Sequence, residues 1–343
     1  MKATHMKTLR SDALAVSPQN GPAGPVRPPL TRREKITRYL PILTLAVLVI
    51  LVSAWNPDFL RPGNIVQLLQ DTSTLFIMAL GMTFVIYIGG IDLSAQSIAS
   101  MSTVVLVILL SQVGILAVPL TLAFGAFFGA VSGWVNTRFK ISSFITTLAV
   151  GGIAYATGQV ISGQRAFYIP EDIRSQTVGW MTATVFTLPA EIIIATALLL
   201  AALLMERRTA LGRHMKAVGA GEPAALASGV KVVKVKIITF AIAGGFSAAA
   251  GVLLATRLSG ASPTMADQFL LPAIVAVLLG GTPLTGGVGG VLSTLIGTVI
   301  VAVIRTSMTY LNVEAQAQQI FFGVLMIAAI AMTIDRSKIA VVK

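Results

Sequence analysis

Charge is scarce in this sequence: Asp, Glu, Lys and Arg make up 11% of 343 residues, where a soluble domain carries near 25%. With 55% hydrophobic residues and a mean hydropathy of +0.85, a water-soluble globule of this size is excluded and an integral membrane protein is indicated. Cysteine is absent, which excludes disulfides, thiolate metal sites and cysteine nucleophiles. Two histidines, His5 and His214, are too few for an ordinary histidine metal cluster. The sequence holds no Gly-x-x-x-x-Gly-Lys-Ser/Thr phosphate loop and no Gly-x-Ser-x-Gly elbow in a strand–turn–helix setting. No chain of acids or histidines runs through the apolar stretches, as proton-coupled carriers require. No cofactor and no catalytic residue is expected.

What is present is a series of charge-free runs. A charge at the bilayer centre costs roughly 2.5–3.5 kcal/mol on insertion scales, so such runs locate spans of about 20 residues. They are Tyr39–Pro57, Thr72–Ile91, Leu93–Thr137, Ile141–Gln164, Ile192–Met205, Ile237–Thr256, Gln268–Ile304 and Ala315–Ile334. The run from Leu93 holds two helices with a turn near Ser111–Gly114, and the run from Gln268 holds two broken by the Gly/Pro/Thr cluster 280–290. Leu188–Ala190 extends the short run from Ile192 past Glu191, expected at the interface. The runs show no strand-like alternation, so the fold class is an all-α polytopic membrane protein of about ten transmembrane helices.

An even count puts both termini on one side. With that side inside, segments 1–38, 138–140, 206–236 and 335–343 hold 20 of the 25 Lys and Arg, and the outer segments hold Arg61, Arg165, Arg174, Arg257 and Arg305. The asymmetry predicts cytoplasmic N- and C-termini. It also reads the net charge of +12 as complementing anionic lipid rather than nucleic acid. Residues 1–38, basic and proline-rich, are expected to be a disordered cytoplasmic tail rather than a cleaved leader. Residues 39–335 form the transmembrane domain with a cytoplasmic loop over 206–236, and 336–343 a second tail. Arg257 and Arg305 are expected to snorkel to the outer interface. The outer loop 162–190 is expected to be solvated with a short interfacial helix.

Three features stand out from apolar packing. Gly125, Gly129 and Gly133 strip one helix face, which lets a neighbour approach closely. Gly89-Gly90-Ile91-Asp92-Leu93-Ser94 is echoed, 191 residues later, by Gly280-Gly281-Thr282-Pro283-Leu284-Thr285. Each lies between spans, the second and third and the eighth and ninth, and paired Gly-interrupted segments of this kind line transport pathways. Asp92 is expected to act as a helix N-cap, a cavity-lining polar group, or both. In the loop 206–236, Pro223 suits the first turn of a helix and Gly229 the residue past its end. The alanine-rich turn and a half between them is too short to be stable undocked.

At these residues the chain resembles the permease subunits of bacterial ABC importers for ribose-type sugars, within the branched-chain amino acid/ribose permease superfamily. The first marker is the Gly89–Ser94 segment. The second is Gly212-Arg213, Ala217-Val218-Gly219 and Glu222-Pro223-Ala224-Ala225-Leu226-Ala227-Ser228-Gly229-Val230. The third is Gly280 to Gly289. The similarity spans Leu40–Ile334. It departs where Ala95-Gln96 stand for the family's Val-Gly and where Gly221-Glu222 occupy a usual asparagine neighbourhood.

The resemblance implies a half-transporter that moves a sugar or sugar-like solute and hydrolyses nothing itself. Its expected partners are two cytoplasmic ATPase subunits, a second permease copy or paralogue, a periplasmic sugar-binding protein and the lipid of the bacterial inner membrane. The substrate pathway is assigned to Gly89, Gly90, Asp92, Ser94, Gln96, Ser97, Gly280, Gly281, Thr282 and Thr285. Coupling to the ATPase is assigned to Arg213, Glu222, Pro223, Ala225, Leu226, Ser228 and Gly229. Rival readings are a ten-span secondary carrier or facilitator for a small neutral polar solute, an intramembrane enzyme and a membrane scaffold. The first predicts uptake that persists without an ATPase. The second needs convergent side chains in the spans, where only Asp92 stands.

Overall fold

The computed structural model describes residues 32–333. Its helices in chain order are α1 (Arg32–Trp55), α2 (Pro62–Tyr87), α3 (Ala95–Val113), α4 (Ala117–Phe139), α5 (Ser143–Ser162), α6 (Glu171–Thr177), α7 (Ala190–Arg208), α8 (Ala210–Ala220), α9 (Glu222–Ala227), α10 (Val232–Arg257), α11 (Leu270–Leu279), α12 (Val291–Tyr310) and α13 (Ala315–Thr333). The strand pairs are two residues long: β1 (Phe167–Tyr168) with β4 (Gly260–Ala261), and β2 (Thr184–Val185) with β3 (Leu188–Pro189). The protein is therefore an all-α polytopic membrane protein. Among the described residues, Pro62–Tyr87, Ala95–Phe139, Ser143–Ser162, Val232–Arg257 and Val291–Tyr310 are long and apolar enough to cross a membrane. Shorter apolar segments are Leu40–Trp55, Asp267–Leu279 and Ala315–Ala331.

The predicted breaks recur as structure. α3 ends at Val113 before Gly114, and α11 and α12 flank 280–290. The short helix of the 162–190 loop is α6. Residues 1–31 and 334–343, which hold most of both expected tails, lie outside the described residues, and α1 already begins at Arg32.

The helices also run further than charge-free runs suggest. α2 starts at Pro62, not Thr72, and passes through Asp71, whose carboxylate pairs with Arg257 of α10. Glu191 is 1% exposed, in the first turn of α7. Arg257 and Arg305 have partners within the protein: Arg257 meets Asp71, and the Arg305 guanidinium lies 5.2 Å over the Phe269 ring. Pairing and aromatic contact offset part of the desolvation of the two guanidiniums.

α2 forms the centre, buried from Thr72 to Ile88. Against it pack α10, α11, α12 and α7. The most extensive helix pair is α4 with α10, and the glycine stripe explains it. A methyl on Gly133 would meet the Ile237 backbone at 2.7 Å, and one on Gly125 would meet the Gly244 carbonyl at 2.7 Å. Gly129 lies against the Phe240 carbonyl and Gly244. In lipid, such close backbone approach replaces the hydrophobic drive that water supplies to soluble bundles. Many hydroxyls within the spans bond back to the preceding turn, as Thr83 does to the Ala79 carbonyl (2.8 Å) and Thr239 to Val235 (2.7 Å), which lowers the cost of their polarity in lipid; Thr74, Ser102, Ser132 and Thr146 are buried without such a partner among the described residues.

The bundle has two ends. One carries 88–94, the α4–α5 turn, 209–231 and 280–290, with Arg138, Lys140, Arg207, Arg208, Arg213, Lys216, Lys231, Lys234 and Lys236 at or near it. It is called the basic end here. The other carries the β1–β4 pair, α6 and the Asp71–Arg257 contact.

Candidate functional site

The two echoed segments meet at the basic end. After α2 the chain turns at Gly89, φ +70°, a region that disfavours any side chain. The Gly90 N–H bonds to the Val85 carbonyl (3.0 Å). The irregular stretch is then satisfied by the first turns of α5: the Ile91 N–H donates to Ser143 Oγ (3.0 Å) and the Leu93 N–H to Thr147 Oγ1 (3.0 Å). Buried backbone outside a helix needs such partners. On the other segment, the Gly287 N–H donates to the Tyr87 carbonyl at 2.9 Å, and Gly286 lies against Gly89 so closely that a methyl on it would come within 2.9 Å of the Gly89 Cα. Gly286 and Gly287 both have φ +78°, so glycine serves there for conformation and contact alike.

The proposed pathway residues thus fall on one contiguous patch, but unequally. Gly89, Gly281 and Thr285 are exposed, and Gln96 is half-buried on the first turn of α3. Gly90, Ser94, Ser97 and Gly280 are buried. Asp92 is buried and its Oδ1 accepts both the Ser94 N–H (2.8 Å) and the Ser94 Oγ–H (2.5 Å). It ties the turn into α3 from two positions ahead of the helix-capping residue Ser94. Thr282 is buried with its Oγ1 unpartnered among the described residues, pressed on Gly289.

The second marker reaches the same patch. Thr209 caps α8 by accepting the Gly212 N–H (3.2 Å), and α8 buries Gly212, Met215 and Val218 on one face. Gly219, at its far end, packs its backbone on the Tyr87 carbonyl and the Gly287 nitrogen. α8 therefore touches both echoed segments at once. α9 follows directly and is held by few bonds: Ala225 alone is buried in it, and Glu222 pairs with Lys236 of α10 at 2.6 Å. Pro223 stands in its first turn and Gly229 past its end, φ +80°, as the spacing predicts. Leu226 is 64% exposed. Beside it, Val232, Val233, Ile237 and Ile238 with Lys231 and Lys234 line a groove of about 440 Å³. Arg213 and Ser228 are exposed.

The sequence reading missed Glu206. Its carboxylate, at the end of α7, is 8% exposed. Oε1 accepts from Tyr87 Oη (3.1 Å) and Lys216 Nζ (2.6 Å), and Oε2 accepts the Val291 N–H (3.0 Å) at the start of α12. One side chain so joins α2, α7, α8 and α12. Thr83 Oγ1 and Thr294 Oγ1, 2.7 Å apart, add a second tie between α2 and α12. The only signal in the sequence is an acid closing an apolar run ahead of Arg207-Arg208, a pattern equally suited to a solvated loop.

A family model described as "Branched-chain amino acid transport system / permease component" matches residues 64–330. The chain belongs to this family. Among its relatives is the ribose import permease protein RbsC of Bacillus subtilis (strain 168), 37% identical over 308 residues, 88% of this chain and 93% of the relative. RbsC of Escherichia coli (strain K12) is 34% identical over 303 residues, 87% and 93% of the two chains. The L-arabinose transport system permease protein AraH of the same organism is 34% identical over 303 residues, 88% and 91%. No solved structure matches. As a permease component, the chain supplies the membrane passage of a transport system rather than a catalytic centre, and the three markers are where its irregular backbone converges.

Proposed function

We propose that this permease is the membrane-spanning subunit of an ATP-driven importer for a sugar or sugar-like solute in the bacterial inner membrane. Its ten spans are α1 to α5, α7, α10, α11 with the 280–290 segment, α12 and α13, and both termini and the basic end are cytoplasmic. A periplasmic binding protein delivers the solute. Two permeases, identical or paralogous, assemble with two ATPase subunits. The apolar outer faces of α5 and α13, with Leu148, Ile153, Val324 and Ile327 exposed, meet lipid or the second copy. The observation that carries the reading is α9: a short helix at the basic end, weakly held to its own bundle, that offers Leu226 and an adjoining apolar groove outward. A helix of this length needs docking, and closing ATPases can push it. Through α8, Gly219 and Glu206 the push reaches 88–94 and 280–290, assigned as the pathway. The ion pairs of Lys236 and Lys216 keep that connection stiff.

Affinity purification of the tagged chain from its native membrane tests this. Recovery of an ATPase with the wild type, and its loss in the normally inserted Leu226→Asp variant, are expected. A wild-type chain that takes up solute without any ATPase contradicts the reading and points to a secondary carrier.

A further inference from the structure

We infer that the end opposite the basic end carries a built binding site for a neutral polyhydroxylated solute, formed where α2, α10 and α12 part beside the segments 56–58 and 268–269. The inference rests on the importer reading for its side of the membrane and for the class of solute. The cavity there has a volume of about 650 Å³, within the roughly 300–1,000 Å³ of small-molecule sites. Unlike the groove beside α9, its wall is mostly polar. Two guanidiniums, Arg257 and Arg305, face two carboxylates, Asp58 and Asp71. Asp58 is paired with Arg61 (2.9 Å) and Asp71 with Arg257, so the charge left over in the lining is that of Arg305.

The donors and acceptors that matter are those left free. Arg257 is engaged, by Asp71 and by the Gln70 carbonyl (3.2 Å). Arg305 lies over the buried Phe269 ring, and among the described residues its guanidinium has no hydrogen-bond or ion-pair partner. Thr74 is 2% exposed, lines the cavity, and its Oγ1 has no partner among the described residues. The side chains of Gln67 and Gln268 line it as well and make no hydrogen bonds with other described side chains or backbone. An unpaired guanidinium and an orphan hydroxyl in a partly enclosed wall are costly unless something polar fills the space.

The chemistry selects among ligands. Guanidinium N–H groups donate, Asp71 accepts, and carboxamides and a hydroxyl do both. Vicinal hydroxyls of a sugar match that mixture, whereas an apolar ligand leaves all of it unsatisfied. A phosphorylated solute or lipid headgroup gains from Arg305, the one unpaired charge, but brings about two negative charges beside carboxylates whose guanidinium partners are already engaged.

Saturation-transfer NMR on the purified full chain in lipid nanodiscs tests the site, with D-ribose, L-arabinose and myo-inositol as neutral probes and D-ribose 5-phosphate as the anionic one. Wild-type protein is expected to give a signal with at least one neutral probe and none with the phosphate. Gln67→Ala/Gln268→Ala and, separately, Arg305→Gln are expected to weaken neutral-probe binding by about tenfold, the scale of one or two lost hydrogen bonds. Equal binding in wild type and both variants, no neutral-probe signal at all, or tighter binding of the phosphate overturns the inference. The same preparations are assayed for ATPase recovery. Recovery with no effect of the cavity variants defeats the site alone, and absence of an ATPase defeats the importer reading whatever the NMR shows.

Discussion

Glu206 shows how much rests on single groups here. Its carboxylate satisfies a phenol, an ammonium and a helix-terminal N–H at once. Glu206→Ala strands all three. Removing one partner of a buried ion pair costs about 3–5 kcal/mol, and Lys216, 35% exposed, recovers part of that from water. We expect a loss of about 2–3 kcal/mol, measured as a lowered thermal unfolding midpoint of the purified chain. Lys216→Met in the Glu206→Ala background should add little, because the two act through one bond. Asp92 makes a graded case. An asparagine Oδ1 can still accept the Ser94 N–H, so Asp92→Asn is expected to cost about 1 kcal/mol and Asp92→Ala about twice that, the range of lost capping bonds. Equal losses in the two variants would mean the charge itself, not the turn, is what Asp92 supplies. At this scale the sequence was only partly legible. It flagged Asp92 as a lone acid beside glycines. It gave no sign that Glu206, Asp71 and Arg257 find partners across 10 to 186 residues of chain, since pairing is a property of the folded bundle.

Elements were more legible, because hydropathy and glycine spacing act locally. The turn at Gly114, the break over 280–290, the α6 helix and the Pro223–Gly229 signature of α9 all follow from runs and caps. Boundaries drifted where charges entered helices, as α2 did through Asp71 and α7 through Glu191 and Glu206. A charge-free criterion stops at such residues, while a helix stops only where its backbone does. The amphipathic α8, with Gly212, Met215 and Val218 inward, was hidden inside a loop read for its charge. The α4 glycine stripe yields a test at this scale. Gly129→Leu drives a side chain into the Phe240 backbone, where nothing flexible can yield. Overpacking of this kind costs about 1–3 kcal/mol or more, so lower yield of folded chain on size-exclusion chromatography is expected. Gly152→Leu, at a position with open space around it, should leave the yield unchanged.

For the whole molecule, the arrangement gives the two ends different chemistry. The basic end gathers the three markers around Tyr87, Gly219 and Gly287, with α9 projecting from it. The opposite end holds the polar cavity between Asp71 and Arg305. That the two echoed segments touch could not be read from a six-residue similarity, which shows kinship of sequence but not contact. The orientation follows from the distribution of Lys and Arg alone, and everything proposed for α9 depends on it. The absence of cysteine makes the decisive measurement simple: a single Ser228→Cys is placed on α9, a single Tyr168→Cys at the other end, and both are probed with a membrane-impermeant maleimide in intact cells and in inverted vesicles. Position 228 is expected to label only in inverted vesicles and position 168 only from outside the cell. Labelling of position 228 in intact cells would put α9 on the external face, beyond the reach of any cytoplasmic ATPase.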